Sequence, residues 1–283
     1  SFYGMKGILA GYITGEVVRG GLGLTKDTAT VWIHLFIMAN YFMPLLGAYV
    51  SDRLWGRYKT ILWISLFYCA GHGVLALSDL TSDLQSRAYM LWAGLALIAF
   101  GAGGIKPCVS AFMGDQFPGG QTRLYQKAYA AFYFSINFGS FFSFLTIPTI
   151  AKHHGYGWAF GIPGVLMGIA TLIFWSGRHR YIRVPPASET RSAGFLPVLW
   201  EALTHRRPGR GFWDGARGRF SAEEVSAAQS VLPVLSIFAL IPPFWAMFDQ
   251  HSSTWILQAE QMVPLQVSAR FSIGGEEVQS LTP

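Results

Sequence analysis

The chain has 283 residues, 52% of them hydrophobic and 13% charged, with a mean hydropathy of +0.35. A soluble domain carries about 25% charged residues, so the composition excludes an ordinary water-soluble globule. The net charge of +6 is a weak pointer to nucleic acid and is set aside. Much of the cationic excess falls in one segment between apolar runs, as expected of a cytoplasmic loop.

Residues 1–14 read as the outer part of a first helix, since a full span needs about 20 residues. The chain opens on Ser1 with helical pattern at once, so a cut N-terminus is expected. A polar loop at 15–28 leads to a span at 29–50, a basic turn at 51–59 and a span at 60–77. A slightly acidic loop at 78–87 precedes the span 88–112, and polar residues 114–127 precede spans at 128–150 and 158–175. Residues 176–230 are polar and arginine-rich, and within them 195–203 is expected to be an interfacial helix. The last apolar segment, 231–259, is broken by Pro233, Pro242 and Pro243, and 260–283 is mixed and ends without a span. The expected organisation is a six-helix transmembrane bundle at 1–175, a cytoplasmic basic linker at 176–230, and the first helix of a second bundle with its following loop at 231–283.

Loop charge sets the orientation. The turn at 51–59 holds Arg53, Arg57 and Lys59 against Asp52, and 176–230 holds nine arginines against five acids. The alternate loops hold only Arg19 and Lys26, then Arg87, then Lys152. Cations on every second loop place those loops, and the N-terminus, in the cytoplasm of a multi-pass protein of the plasma or inner membrane.

One stretch organises the rest: FGAGGIKPCVSAFMGDQF, Phe100 to Phe117. A lysine at mid-bilayer depth costs on the order of 2.5 kcal/mol or more and marks a functional site by default. Gly101, Ala102, Gly103 and Gly104 permit close approach of a neighbouring helix, and Pro107 is expected to bend the helix beside Lys106. The same run resembles a phosphate loop only superficially, because no strand precedes it and the Walker spacing is absent.

Other polar residues lie in apolar runs at helical spacing: Tyr3 with Lys6, His34 with Tyr41, Tyr133 with Asn137, and Trp245 with Asp249. Each pair is expected to share a helix face, and together these faces would line one aqueous cavity. Two cations, a carboxylate, an imidazole, an amide and several aromatic rings suit a zwitterion. Asp249 and His34 can exchange protons if burial shifts them. The bland readings are packing or interface-belt roles for the aromatic residues and a hydrogen-bonded core role for a lone histidine. His72 takes the core reading, and Cys69 and Cys108 read as small core residues. His153 and His154, adjacent in a loop, make a poor metal site. A membrane enzyme would need a paired nucleophile and base or a metal cluster, and the pattern contains none.

At these residues the chain resembles the proton-dependent oligopeptide transporter family, a branch of the major facilitator superfamily. SFYGMK resembles the end of its first-helix motif, and GAYVSDRLWGRYKT its second-to-third-helix turn. GAGGIKPCVSAFMGDQF and FYFSINFGS resemble its fourth- and fifth-helix signatures, and FWAMFDQHSSTW its seventh-helix motif. The resemblance implies an all-α polytopic fold, with about seven of the family's twelve helices present, and alternating access around a midplane site.

It also implies proton-coupled import of di- and tripeptides, with small peptides, protons and the lipid bilayer as partners. The proton gradient would drive the cycle, with no cofactor and no metal. Carried over residue by residue, Lys106 would hold the peptide carboxylate and Asn137 would help fix the amino end. Tyr3, Tyr41 and Trp245 would line the pocket. His34 and Asp249 would serve proton coupling, and Lys6 would pair with Asp249 as an outer gate. Lys6 stands where the family usually has arginine, Asp249 where many bacterial members have glutamate, and Phe2 where tyrosine is common. The first-helix acidic motif and helices eight to twelve are expected to lie outside this chain. The alternative within the family is transport of nitrate, amino acids or another small anion.

Overall fold

Long apolar runs fold as helices in a bilayer because only a helix satisfies every backbone group within its own segment. The computed structural model describes residues 2–117, 122–186, 194–206, 211–252, 254–259, 261–268 and 271–273. The chain divides into two compact units, Ser1–Pro186 with Gln250–Pro283, and Ala187–Asp249.

In the first unit α1 (Phe2–Thr14) is followed by α2 (Lys26–Tyr49), which Thr25 starts by accepting a hydrogen bond from the Thr28 amide at 3.2 Å. A π-helical turn, Val50–Trp55, extends α2 to Gly56, whose φ of +76° ends it. That conformation is open to glycine without penalty. The expected basic turn at 51–59 therefore contracts to this one hinge residue. α3 (Arg57–Leu77) and α4 (Leu84–Ile98) follow, α4 being capped by Asp83, whose carboxylate accepts from the Ser86 amide at 2.8 Å. The Ser86 hydroxyl and amide hold the Asp83 carboxyl below the usual carboxylate range.

A second π-helical turn, Ala99–Gly103, joins α4 to α5 (Gly104–Asp115). It falls one turn before Pro107, whose ring would clash with the carbonyl four residues back, Gly103. Widening that turn relieves the clash, so the expected bend takes the form of a π-bulge. α6 (Thr122–His154) and α7 (Tyr156–Ser176) complete the membrane-length helices of this unit.

The small residues pack as expected. A Cβ on Gly47 would sit 2.0 Å from the Gly104 carbonyl oxygen, so α2 and α5 touch backbone to backbone. A Cβ on Gly101 would meet Tyr68 of α3 at 2.6 Å. α3 packs on α4 and α7, and α1 on α6. Met5, Ile8, Leu9 and Ile13 of α1 are fully buried with Ile33, Leu91, Ile98 and Phe160. Arg57 of α3 pairs with Asp115 at the end of α5 and lies 3.9 Å from Asp52. His72 is buried and its Nδ1 donates to the Phe160 carbonyl of α7 at 2.9 Å, as a core histidine should. The unit also contains α11 (Thr254–Ala259) and, within the mixed segment 260–283, an antiparallel strand pair, β1 (Leu265–Ser268) with β2 (Phe271–Ile273).

The second unit holds α8 (Phe195–Thr204), α9 (Ala222–Phe238) and α10 (Ile241–Phe248). Val198 and Ala202 of α8 are buried with Ala216 and with Val225 and Ala228 of α9. α9 begins inside the segment read as linker because Ser221 and Glu224 form a reciprocal capping box: the Glu224 carboxylate accepts from the Ser221 amide at 2.9 Å. α9 runs through Pro233 without breaking. It ends at Phe238, four residues before Pro242 and five before Pro243. Those rings exclude helical carbonyls at Phe238 and Ala239.

Candidate functional site

Phe2 at the start of α1 is the junction of the site. Its ring centroid lies 5.8 Å from that of Tyr3 and 5.9 Å from that of Phe36 on α2. The Lys106 ammonium sits 4.6 Å from the same centroid, within cation–π range. Tyr3 in turn lies 6.1 Å from Phe144 of α6, ring to ring. Three helices and the lysine helix thus converge on one aromatic cluster. Lys106 is exposed, while Gly104, Ile105 and Cys108 around it on α5 are buried.

Tyr41 is exposed on α2, and Tyr133 and Asn137 share the exposed side of α6. Trp245 is exposed on α10. Tyr3 and Lys6 lie three apart within α1, Tyr3 exposed at the helix start and Lys6 buried one turn on. Trp245 and Asp249 do not share one helix face. α10 stops at Phe248, and the buried Asp249 opens a 3-10 turn.

His34 is half-buried on α2. A carbonyl can only accept, so its Nδ1 carries the proton donated to the Thr30 carbonyl at 2.8 Å. Nε2 then has the acceptor role and faces the Gln250 side-chain nitrogen at 3.5 Å. Gln250 Oε1 accepts from the Thr254 hydroxyl at 2.7 Å. A proton gained at Nε2 would turn this acceptor into a donor and set two donors against each other.

Three residues of this region went unread in the sequence. Phe2 registers there only as a tyrosine replacement, yet it is the hub of the aromatic cluster. Gln250 lies beside Asp249, and its contacts with His34 and Thr254 have no local sequence signal. Asn40 is buried on α2, donates to the Phe36 carbonyl at 2.9 Å and keeps Oδ1 without a partner among the described residues. An amide inside an apolar span is the signal that identifies it. A cleft of about 870 Å³ lies elsewhere, lined by Thr14, Glu16, Arg19, Lys152 and Tyr156, and none of the expected site residues borders it.

Among the described residues, six helices are long and apolar enough to cross a membrane, glycine contacts bring α2 against α5 in the first unit, and one of the six bears Lys106; these features define a polytopic membrane protein. The family model described as the POT family matches residues 58–209 and 212–283. The chain therefore belongs to the POT family and has its major facilitator helix-bundle fold. It is 38% identical over 276 residues to peptide transporter family 1 of Drosophila melanogaster, covering 93% of this chain and 36% of that protein. It is 35% identical to peptide transporter 3 of Caenorhabditis elegans, covering 100% of this chain and 42% of that one. A crystal structure of the POT family transporter PepTSo superposes with a TM-score of 0.84 at 38% identity, covering 99% of this chain and 63% of that one. The chain thus spans about two-fifths of the length of these curated relatives.

Proposed function

We propose that the full-length protein imports di- and tripeptides together with protons, by alternating access around a site that includes Lys106. In this reading Lys106 binds the peptide carboxylate, Tyr3, Tyr41 and Trp245 line the pocket, and Asn137 helps hold the amino end. His34 and Asp249 carry the proton coupling, and Lys6 is the cationic partner of Asp249. In this reading the protein sits in the cell membrane with its N-terminus in the cytoplasm, which the alternation of basic loops supports.

The observation that carries the reading is the placement of Lys106. An ammonium in a membrane-length helix is held against Phe2, whose ring in turn meets that of Tyr3, yet stays exposed. It can therefore meet an anion without leaving its aromatic support. Relatives of this chain are named peptide transporters, and a peptide carboxylate is the anion that such a ligand presents. The test is uptake of labelled dialanine into proteoliposomes of the full-length protein with an imposed pH gradient. Uptake should rise with an inward proton gradient and be displaced by unlabelled dialanine but not by nitrate. Uptake indifferent to the gradient, or displaced by nitrate alone, overturns it.

A further inference from the structure

The segment that leaves α7, residues 177–186, is tied to the ends of α3 and α5. The Tyr181 ring lies 5.2 Å from that of Phe174 and 5.3 Å from that of Phe112. The Ile182 amide donates to Gln116 Oε1, and the Gln116 side-chain nitrogen donates to the Ile182 carbonyl, each at 3.0 Å. These contacts position Arg183. Its guanidinium lies 4.0 Å from the centre of the Tyr58 ring and donates to the Arg178 carbonyl.

Between this segment and the start of α3 is a cleft of about 250 Å³, lined by Trp55, Lys59, Arg183, Pro185 and Pro186. A second hollow of about 340 Å³ shares Trp55 and Lys59 and adds Trp63. Lys59 and Arg183 are exposed, and among the described residues neither has a carboxylate partner. The acids near this end, Asp52 and Asp115, both face Arg57 instead. Two cations on one cleft, one of them already ordered by an aromatic ring, make a place for an anion such as a phosphate.

Beyond Lys59 the groove turns apolar, and that identifies the anion's carrier. Trp63, Leu66 and Phe67 follow Lys59 by four, seven and eight residues, so all four side chains share one face of α3. The three apolar ones are 54%, 47% and 44% exposed. At 1.5 Å per residue, Trp63 lies about 6 Å and Phe67 about 12 Å further along the helix than Lys59. α3 is long and apolar enough to cross a membrane, so this row descends from its basic end into hydrocarbon. A soluble anion would use the cations alone. A phospholipid uses both parts, with its phosphate in the cleft and an acyl chain along the row. A choline headgroup would set its own cation against Lys59 and Arg183, which selects a headgroup of net negative charge.

We infer that Lys59, Arg183 and the hollow between Trp55 and Trp63 form a binding site for one anionic phospholipid. Lys59 belongs to α3, and Arg183 to a segment fastened to α5 through Gln116. The bound phosphate therefore bridges two helices at this end of the bundle. The site is independent of what the protein carries.

The test is native mass spectrometry of the full-length protein in a delipidating detergent. It is titrated with dioleoyl phosphatidylglycerol, dioleoyl phosphatidylcholine or soluble glycerol 3-phosphate, and an unchanged melting temperature certifies the fold of each variant. Phosphatidylglycerol should give a discrete single adduct, at least fivefold tighter than phosphatidylcholine. Lys59→Gln and Arg183→Gln should each weaken phosphatidylglycerol binding about fivefold, the worth of one cation near an anionic lipid, and leave phosphatidylcholine unchanged. Lys59→Arg should stay within about twofold of the parent, because the charge is kept. Arg19→Gln removes an exposed cation beyond the other end of α2 and should change neither lipid. Glycerol 3-phosphate should not displace the lipid, because it lacks the acyl chain that the row on α3 holds. Four results each overturn the inference. They are equal affinity for the two lipids, losses at Lys59 and Arg183 no larger than at Arg19, displacement by glycerol 3-phosphate, and no discrete adduct at all.

Discussion

The Lys106 ammonium rests 4.6 Å from the centre of the Phe2 ring. The contact joins the first helix to the lysine helix and gives the cation a polarisable surface. An ammonium held this way loses little freedom when an anion arrives, because the aromatic ring already restricts it.

Removing the ring should weaken substrate binding without abolishing it. An exposed cation–π contact is worth about 0.5–1 kcal/mol, so Phe2→Leu should lower apparent dialanine affinity about two- to fivefold. Phe2→Tyr keeps the ring and should stay within about twofold of the parent. Competition of unlabelled dialanine against labelled uptake measures both.

Much of the architecture was legible in the sequence because its cause is local. Apolar runs of spanning length mark the helices, and the small residues at 101–104 mark the close contact. The π-helical turns were not legible, because they depend on Pro107 meeting Gly103 and on α2 being pressed against α5 at Gly47. The start of α9 was written in Ser221 and Glu224, but the charges at 223 and 224 gave the segment the look of a linker. Within the site, Lys106 was legible as a charge in the wrong solvent. Phe2 was not, since an aromatic residue in an apolar helix carries no signal until its neighbour is known.

Close packing of α2 on α5 predicts a sharp difference between two glycines. Gly47→Ala drives a Cβ to 2.0 Å from a backbone oxygen that cannot swing away, and overpacking of this kind costs about 1–3 kcal/mol or more. A Cβ on Gly73 meets nothing within 4 Å, so Gly73→Ala should be neutral or mildly stabilising. Thermal unfolding of the full-length protein in detergent separates the two.

The Arg57–Asp115 pair fixes the start of α3 to the end of α5. Asp115 is largely buried, and its Oδ2 already lacks a partner among the described residues. Arg57→Ala strands that carboxylate and should cost about 1–3 kcal/mol. Arg57→Lys should recover only part of this, because an ammonium does not reproduce the fork that reaches Asp52 as well. The same melting assay reads both variants.

The two intramembrane histidines should behave differently. His72→Leu deletes a buried hydrogen bond to Phe160 and should lower stability by about 1–3 kcal/mol, with the pH profile of uptake unchanged. His34→Gln removes the nitrogen that faces Gln250 and should flatten that profile with little change in stability. A full pH series of uptake for each variant, normalised to folded protein, gives the comparison.

The most direct measurement compares dialanine with dialaninamide, which lacks the carboxylate, as competitors for uptake by the parent and by Lys106→Ala. A hydrogen bond between charged groups contributes about 1.5–3 kcal/mol, so the parent should prefer dialanine by about tenfold to a hundredfold. Lys106→Ala should lose that preference and treat the two ligands alike. A preference that survives the loss of the ammonium unchanged contradicts the role of Lys106 as the carboxylate's partner.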